Sequence, residues 1–226
     1  MSEVRFLQAT QNLTIEFYHI CLTKTIILIK NLIHSNVLEQ LTDFEIHLGS
    51  EQRTVGDLIE YKVKEILCNI QNDLIKDCLP PRSRKSLEDV TIVDQDNNHF
   101  YIDTKTHNVD LDFSMPNLSS VEKLRKILLD DTKFLVYVFV GYKVENQMVN
   151  ILSIETKFVW DLDFSILTIG ALGKGQLQIV NMKKNLVFTD EGKSSWYENL
   201  KLLVKKYHDN RIKKIGKEIL KWDSPI

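Results

Sequence analysis

What this 226-residue chain lacks narrows its class before any motif is weighed. Cysteine is scarce: Cys21, Cys68 and Cys78 cannot all pair within one chain, and no Cys-x-x-Cys or His-Glu-x-x-His spacing occurs. A disulfide scaffold and a zinc site are therefore disfavoured, and a reducing cytoplasm is the expected setting. Long apolar runs are missing too. The longest, Phe134-Leu-Val-Tyr-Val-Phe-Val140, is far too short to span a bilayer, as is Ile26-Ile27-Leu28-Ile29. The opening Met-Ser-Glu-Val-Arg-Phe lacks the basic, apolar, small-residue order of a secretory signal, so neither membrane insertion nor secretion is expected. Glycine offers one loop, Gly170-Ala-Leu-Gly-Lys-Gly175, but without the Gly-Lys-Ser/Thr ending of a P-loop or the dinucleotide glycine spacing. A nucleotide cofactor is excluded on that ground. Arginine is sparse beyond residue 105, where only Arg125 and Arg211 occur.

What is present is ordinary for a globular protein. Apolar residues make up 43% and charged residues 27%, which suits one domain over 1–226. The enrichment in Asn, Ile and Lys suggests an AT-rich coding genome. The net charge of −2 hides an uneven distribution. Residues 88–163 carry 14 acids against 7 Lys and Arg, whereas residues 174–226 carry 12 Lys and Arg against 6 acids. An acidic centre with a basic arm fits a metal-dependent enzyme acting on a polyanion. The competing reading of the basic segment is a solvated amphipathic helix.

Periodicity gives the elements. Residues 3–34 read as helical, and apolar residues at Ile59, Val63, Ile66, Leu67, Ile70 and Leu74 continue a helical repeat that Pro80-Pro81 ends, so 1–79 is expected to be mainly helical. Strand-like segments follow at 90–94, 99–104, 134–142, 149–160 and 175–181, within a region 86–182 that would hold the catalytic sheet. From about 194 to 221, helices carrying Leu200, Leu203, Val204, Tyr207, Ile212, Ile215 and Ile219 close the chain. The expected class is α/β, with a mixed central sheet flanked by helices.

The stretch from Asp89 to Thr106 carries the most chemistry. Asp96-Asn97-Asn98 is turn-forming, so the segment reads as a hairpin with Asp89 on one arm and Asp103-Thr104-Lys105 on the other. Two carboxylates and an ammonium gathered this way can hold Mg²⁺ beside a phosphodiester and help a water molecule attack it. Acid-x-Lys alone is weak evidence, because it occurs five times: Glu60-Lys62, Asp103-Lys105, Asp131-Lys133, Glu155-Lys157 and Glu191-Lys193. Glu155-Lys157 is the serious rival, since it also sits in a strand-like run. Its only near upstream acid, Glu145, falls in a turn.

The match extends past three residues. Phe100-Tyr-Ile-Asp-Thr-Lys-Thr-His-Asn108 followed by Pro116-Asn117-Leu-Ser-Ser120, then Gly175-Gln-Leu-Gln-Ile179 and Gly192-Lys-Ser-Ser-Trp196, resemble in order the PD-(D/E)XK type II restriction endonucleases of the HincII/EcoRV-like blunt-cutting branch. Gly56-Asp-Leu-Ile-Glu60 resembles an upstream helix of that family. The resemblance implies a restriction-endonuclease-like fold and Mg²⁺ held by Asp89, Asp103 and the Thr104 carbonyl. It further implies Lys105 acting on the attacking water, and Glu60 as a supporting acid unless it is simply a solvated helix charge. It also implies a homodimer on double-stranded DNA. One departure is that Glu88, not proline, precedes Asp89, which leaves Glu88 and Asp94 open as alternative ligands.

Residues expected to contact DNA follow from composition and placement. Arginine is the commonest reader of guanine, whereas Asn and Gln make bidentate contacts to adenine. With few arginines, the segments expected to face the groove offer Asn108, Asn117, Gln176, Gln178 and Asn181, which points to an A·T-rich site. Ser119 and His107 are further candidates. Arg82, Arg84 and Lys85 form a basic loop suited to phosphates, as does Lys174 in the glycine turn.

Overall fold

The computed structural model describes residues 23–42, 46–47, 52–81, 83, 86–111, 116–146, 148–170, 175–180 and 185–222. Arg82, Arg84, Lys85, Lys174 and Asn181 lie outside them. A helix over 23–42 (α1) turns Ile29, Ile33, Val37 and Leu41 inward at four-residue steps. After the short strand β1 (Ile46–His47), helix α2 (Gln52–Cys68) buries Val55, Ile59, Val63, Ile66 and Leu67 in the same way. The chain then runs through β2 (Ile75–Leu79), β3 (Val90–Asp94), β4 (His99–Asn108), β5 (Asn117–Ser120), α3 (Val121–Leu128), β6 (Lys133–Glu145), β7 (Met148–Phe158), β8 (Leu167–Gly170), β9 (Gln176–Ile179) and α4 (Lys193–Trp222).

The main sheet has six strands in the order β1-β7-β6-β4-β3-β2, and only β4 and β6 run parallel. A parallel pair needs a crossover, which β5 and α3 supply between Asn108 and Lys133. The crossover helix is capped by Ser120, whose side chain accepts the Lys123 N–H. β6 is buried without interruption from Phe134 to Tyr142, as a central strand covered on both faces must be. A second, three-stranded sheet, β5-β9-β8, is wholly antiparallel. α4 docks through Trp196 and Leu200, and the Trp196 indole donates to the Leu162 carbonyl at 2.7 Å.

The mixed α/β architecture agrees with the sequence reading, with three differences. The helical repeat assigned through Leu74 stops at Cys68, because Asn72 closes a turn onto Leu74 and Ile75 and starts β2. The C-terminal helices are a single helix of 30 residues. The elements β1, β2, β5, α3 and β8 were not anticipated; all are short, and α3 has only eight residues in which to display a period.

Candidate active site

The hairpin forms as read. β3 and β4 pair antiparallel, with Val90 opposite Ile102 and Val93 opposite His99. Asp94 builds the turn: its carboxylate accepts the N–H groups of Asp96 and Asn98 and the Asn98 side-chain amide, while Asn97 takes the left-handed conformation at φ 61°. That engagement removes Asp94 from the possible ligands. Glu88 is turned to the Leu87 N–H at 3.0 Å. Asp89 instead lies against β4, its own N–H on the Ile102 carbonyl at 2.8 Å and its Oδ2 accepting the Thr104 N–H at 2.6 Å.

Asp103 and Lys105 share one face of β4 because side chains alternate along a strand. The Lys105 Nζ lies 2.9 Å from Asp103 Oδ1 and 2.8 Å from Oδ2. Glu60 arrives from α2, with its carboxyl within hydrogen-bonding reach of Asp89. α2 can lie this close to β4 where it carries Gly56, since a Cβ there would meet Thr106 Oγ1 at 3.0 Å. Asp89, Asp103 and Lys105 open into a cleft of about 440 Å³ whose other walls are Ser86, Leu87, Leu118, Ser119, Ser120, Lys123 and Gln176. A larger cleft, of about 510 Å³, is lined by Lys30, Phe134, Phe158, Trp160 and Lys193. Its two lysines are occupied by Asp161 and by the Asp130 carbonyl, so size and chemistry select different cavities.

The register also explains the rival pair. Asp103 is level with Tyr137 on β6 and Lys157 on β7, and Lys105 is level with Phe139 and Glu155. Because β7 runs antiparallel, Glu155-Lys157 repeats the acid-x-Lys face in reverse order about 10 Å away across two strand spacings. Glu155 is 44% exposed against 7% for Asp103, and Lys157 rests over the Phe188 ring at 4.5 Å. That environment is one of a surface ion pair.

Among solved structures the chain is similar to the NlaIV restriction endonuclease, with a TM-score of 0.52 and 13% sequence identity over 78% of this chain and 88% of that one. The fold is that of a restriction endonuclease. No family model and no curated protein matches the sequence.

In this restriction-endonuclease fold the carboxyl cluster is electrostatically loaded. Burial raises Asp103 from the ordinary 3.8 to about 7; Lys105 opposes the rise, and Asp89 and Glu88 add to it. Glu60 is likewise raised to about 7, first by desolvation of its carboxyl, although the residue as a whole is exposed, and then by Asp89 and Asp103. Tyr137, fully buried beside this row, has its phenol held well above its usual range by burial and by the Asp103 charge. Such a cluster sets three carboxyls against the one ammonium of Lys105 and is short of positive charge. Among the described residues no three His, Cys, Asp or Glu side chains form a metal cage. The donors are two carboxylates and the adjacent Thr104 carbonyl, a hard and incomplete oxygen shell that fits Mg²⁺, an ion that keeps several waters.

The expected DNA contacts divide. Asn117, Gln176 and Gln178 come together on the second sheet: Gln178 Nε2 donates to Asn117 Oδ1 at 2.5 Å, and Gln176 Nε2 to the Leu118 carbonyl at 2.9 Å. Gly170 accommodates Gln178, since a Cβ there would fall 1.7 Å from its Oε1. Ser119 is buried in the cleft wall. Asn108 is a correction: it is 5% exposed, and its Oδ1 accepts the Asp110 N–H, so it closes the end of β4 instead of facing a groove. His107, a candidate DNA contact, is half-buried against Gly141, and its buried Nδ1 has no hydrogen-bond partner among the described residues. Lys123 and Ser120 were missed. The spacing of Leu124, Ile127 and Leu128 was the available sign of α3, whose first turn brings them to the cleft.

Proposed function

We propose that the protein is a type II restriction endonuclease of the HincII/EcoRV-like branch. In this reading it is a bacterial, cytoplasmic homodimer that makes Mg²⁺-dependent, blunt double-strand cuts in unmethylated palindromic DNA at an A·T-rich site. The supporting observation is the meeting of Asp89, Asp103 and Lys105 in one cleft, with Glu60 beside them, on a restriction-endonuclease fold. Asp89 and Asp103, with the Thr104 carbonyl, would hold Mg²⁺, which when bound supplies Lewis-acid stabilisation of the phosphate and a more acidic water. Lys105 is held by Asp103 within the same cleft, where its ammonium orients the attacking water and offsets charge gathering on the phosphorus. The products would carry a 5′-phosphate and a 3′-hydroxyl. Asn117 and the two glutamines suit adenine edges, and the two-fold symmetry of a palindrome is matched by a protein dimer.

The test is digestion of unmethylated phage-sized DNA with Mg²⁺ or EDTA, beside Asp103→Ala, Lys105→Met and Glu155→Ala. Discrete bands that vanish with EDTA, Asp103→Ala or Lys105→Met but persist in Glu155→Ala are expected. Bands lost in Glu155→Ala alone would move the site to the rival pair, and no cleavage under any condition would sink the nuclease reading.

A further inference from the structure

The last half of α4 stands away from the rest of the described residues. Trp196 and Leu200 are buried and Leu203, Val204 and Tyr207 partly so, but from His208 to Trp222 every residue except Gly216 is exposed. This arm is about 22 Å long at the helical rise. A helix of that length with a glycine in its middle is marginal alone in water, so its helicity calls for a covering partner.

The arm carries the pattern such a partner would read. Ile212, Ile215, Ile219 and Trp222 recur at three- and four-residue steps, which sets them along one stripe, and Trp222 is 90% exposed. Lys213, Lys214, Lys217 and Lys221 project from the opposite side. Arg211 and Glu218, seven residues apart, flank the stripe on one edge, and Asp209 flanks it on the other, where Gly216 is its only counterpart. Neither Arg211 nor Glu218 has an ion-pair partner among the described residues.

From this geometry we infer that the arm pairs antiparallel with the same arm of a second copy of this chain. With the two-fold axis beside Ile212 and Ile215, Ile212 of each copy packs on Ile215 of the other, and Arg211 of each meets Glu218 of the other. A parallel pair sets Arg211 against Gly216 and leaves both charges unanswered, so charge complementarity selects the antiparallel form. The lysines stay outside, where they do not repel across the seam. The inference gives a surface to the dimer of the proposed function, but it does not require that the protein cut DNA.

Sedimentation of the full chain at micromolar concentration, without DNA, tests it. The wild type is expected to be a dimer and Ile215→Glu a monomer that loses far-ultraviolet helical signal from the arm. Since Ile215 faces solvent, the body keeps its fold. Arg211→Glu should weaken association by about tenfold or more, by facing Glu218 with a like charge, and Arg211→Glu combined with Glu218→Arg should restore it. A wild-type monomer, an Ile215→Glu dimer, or association that appears only with duplex DNA and follows the lysines would overturn the inference. Cleavage assayed separately on the same samples reports on the nuclease reading, so the two can fail independently.

Discussion

Replacing Asp103 by asparagine should make the metal-free protein more stable at pH 8 while abolishing Mg²⁺-dependent activity. Asp103 is 7% exposed, and burial raises its carboxyl from 3.8 to about 7 even with Lys105 bonded to it. Because the folded value is the higher one, the favourable contribution is fully present below pH 3.8, where the acid is neutral in both states. It is lost as the pH rises through about 7. Holding the ionised carboxylate in the fold therefore costs about 4 kcal/mol at pH 8 and roughly a third of that at pH 5. Asparagine keeps the shape and never ionises, so Asp103→Asn should recover about 2–4 kcal/mol at pH 8, allowing for relaxation around the charge. In a chain of this size that is a rise in melting temperature of roughly 5–10 °C. Thermal melts in EDTA at pH 5 and pH 8 measure the gap, and Mg²⁺ should raise the wild-type melt at pH 8 without moving the variant's. A variant less stable than wild type at pH 8, or a gap of equal size at the two pH values, would refute this account of the cluster.

Other outcomes follow from neighbouring geometry. Glu60→Gln removes a negative charge beside Asp89 and Asp103, so protons should compete with Mg²⁺ for the cluster only at lower pH and the acid limb of the cleavage rate should shift down; an unmoved limb would make Glu60 a bystander. Gly170→Ala forces the Gln178 side chain out of its seat, and sequencing of cleavage ends should reveal relaxed site choice with cutting retained, whereas an unchanged site would remove Gln178 from recognition. Cys68 and Cys78 sulfurs lie 2.6 Å apart, and burial together with Cys68 pushes the Cys78 thiol up to about 12. Exposed Cys68 should therefore start any exchange with glutathione disulfide, and peptide mapping should find a 68–78 link; a lasting glutathione adduct on Cys68 would show that the pair does not close.

The sequence determined whatever depended on near neighbours. The β3–β4 hairpin was legible because Asp94, Asn97 and Asn98 carry their turn chemistry locally, and Asp103 and Lys105 had to share a face because a strand repeats every two residues. The core of α2 and the apolar centre of β6 from Phe134 to Val140 announced themselves by period and by run length. Tertiary structure decided the rest. Five acid-x-Lys pairs are equivalent on paper. Burial of Asp103 beside Asp89, and the arrival of Glu60 from a helix more than forty residues away in the chain, distinguish one of them. The antiparallel turn of β7 left Glu155-Lys157 as its reversed and exposed counterpart. Asn108 looked like a reader until packing buried it, and the apolar face read along the C-terminal helices is covered among the described residues only as far as Tyr207. Local pattern fixes which way a side chain points; what it meets there depends on segments distant in sequence, and burial and charge, which set the chemistry, are properties of that meeting.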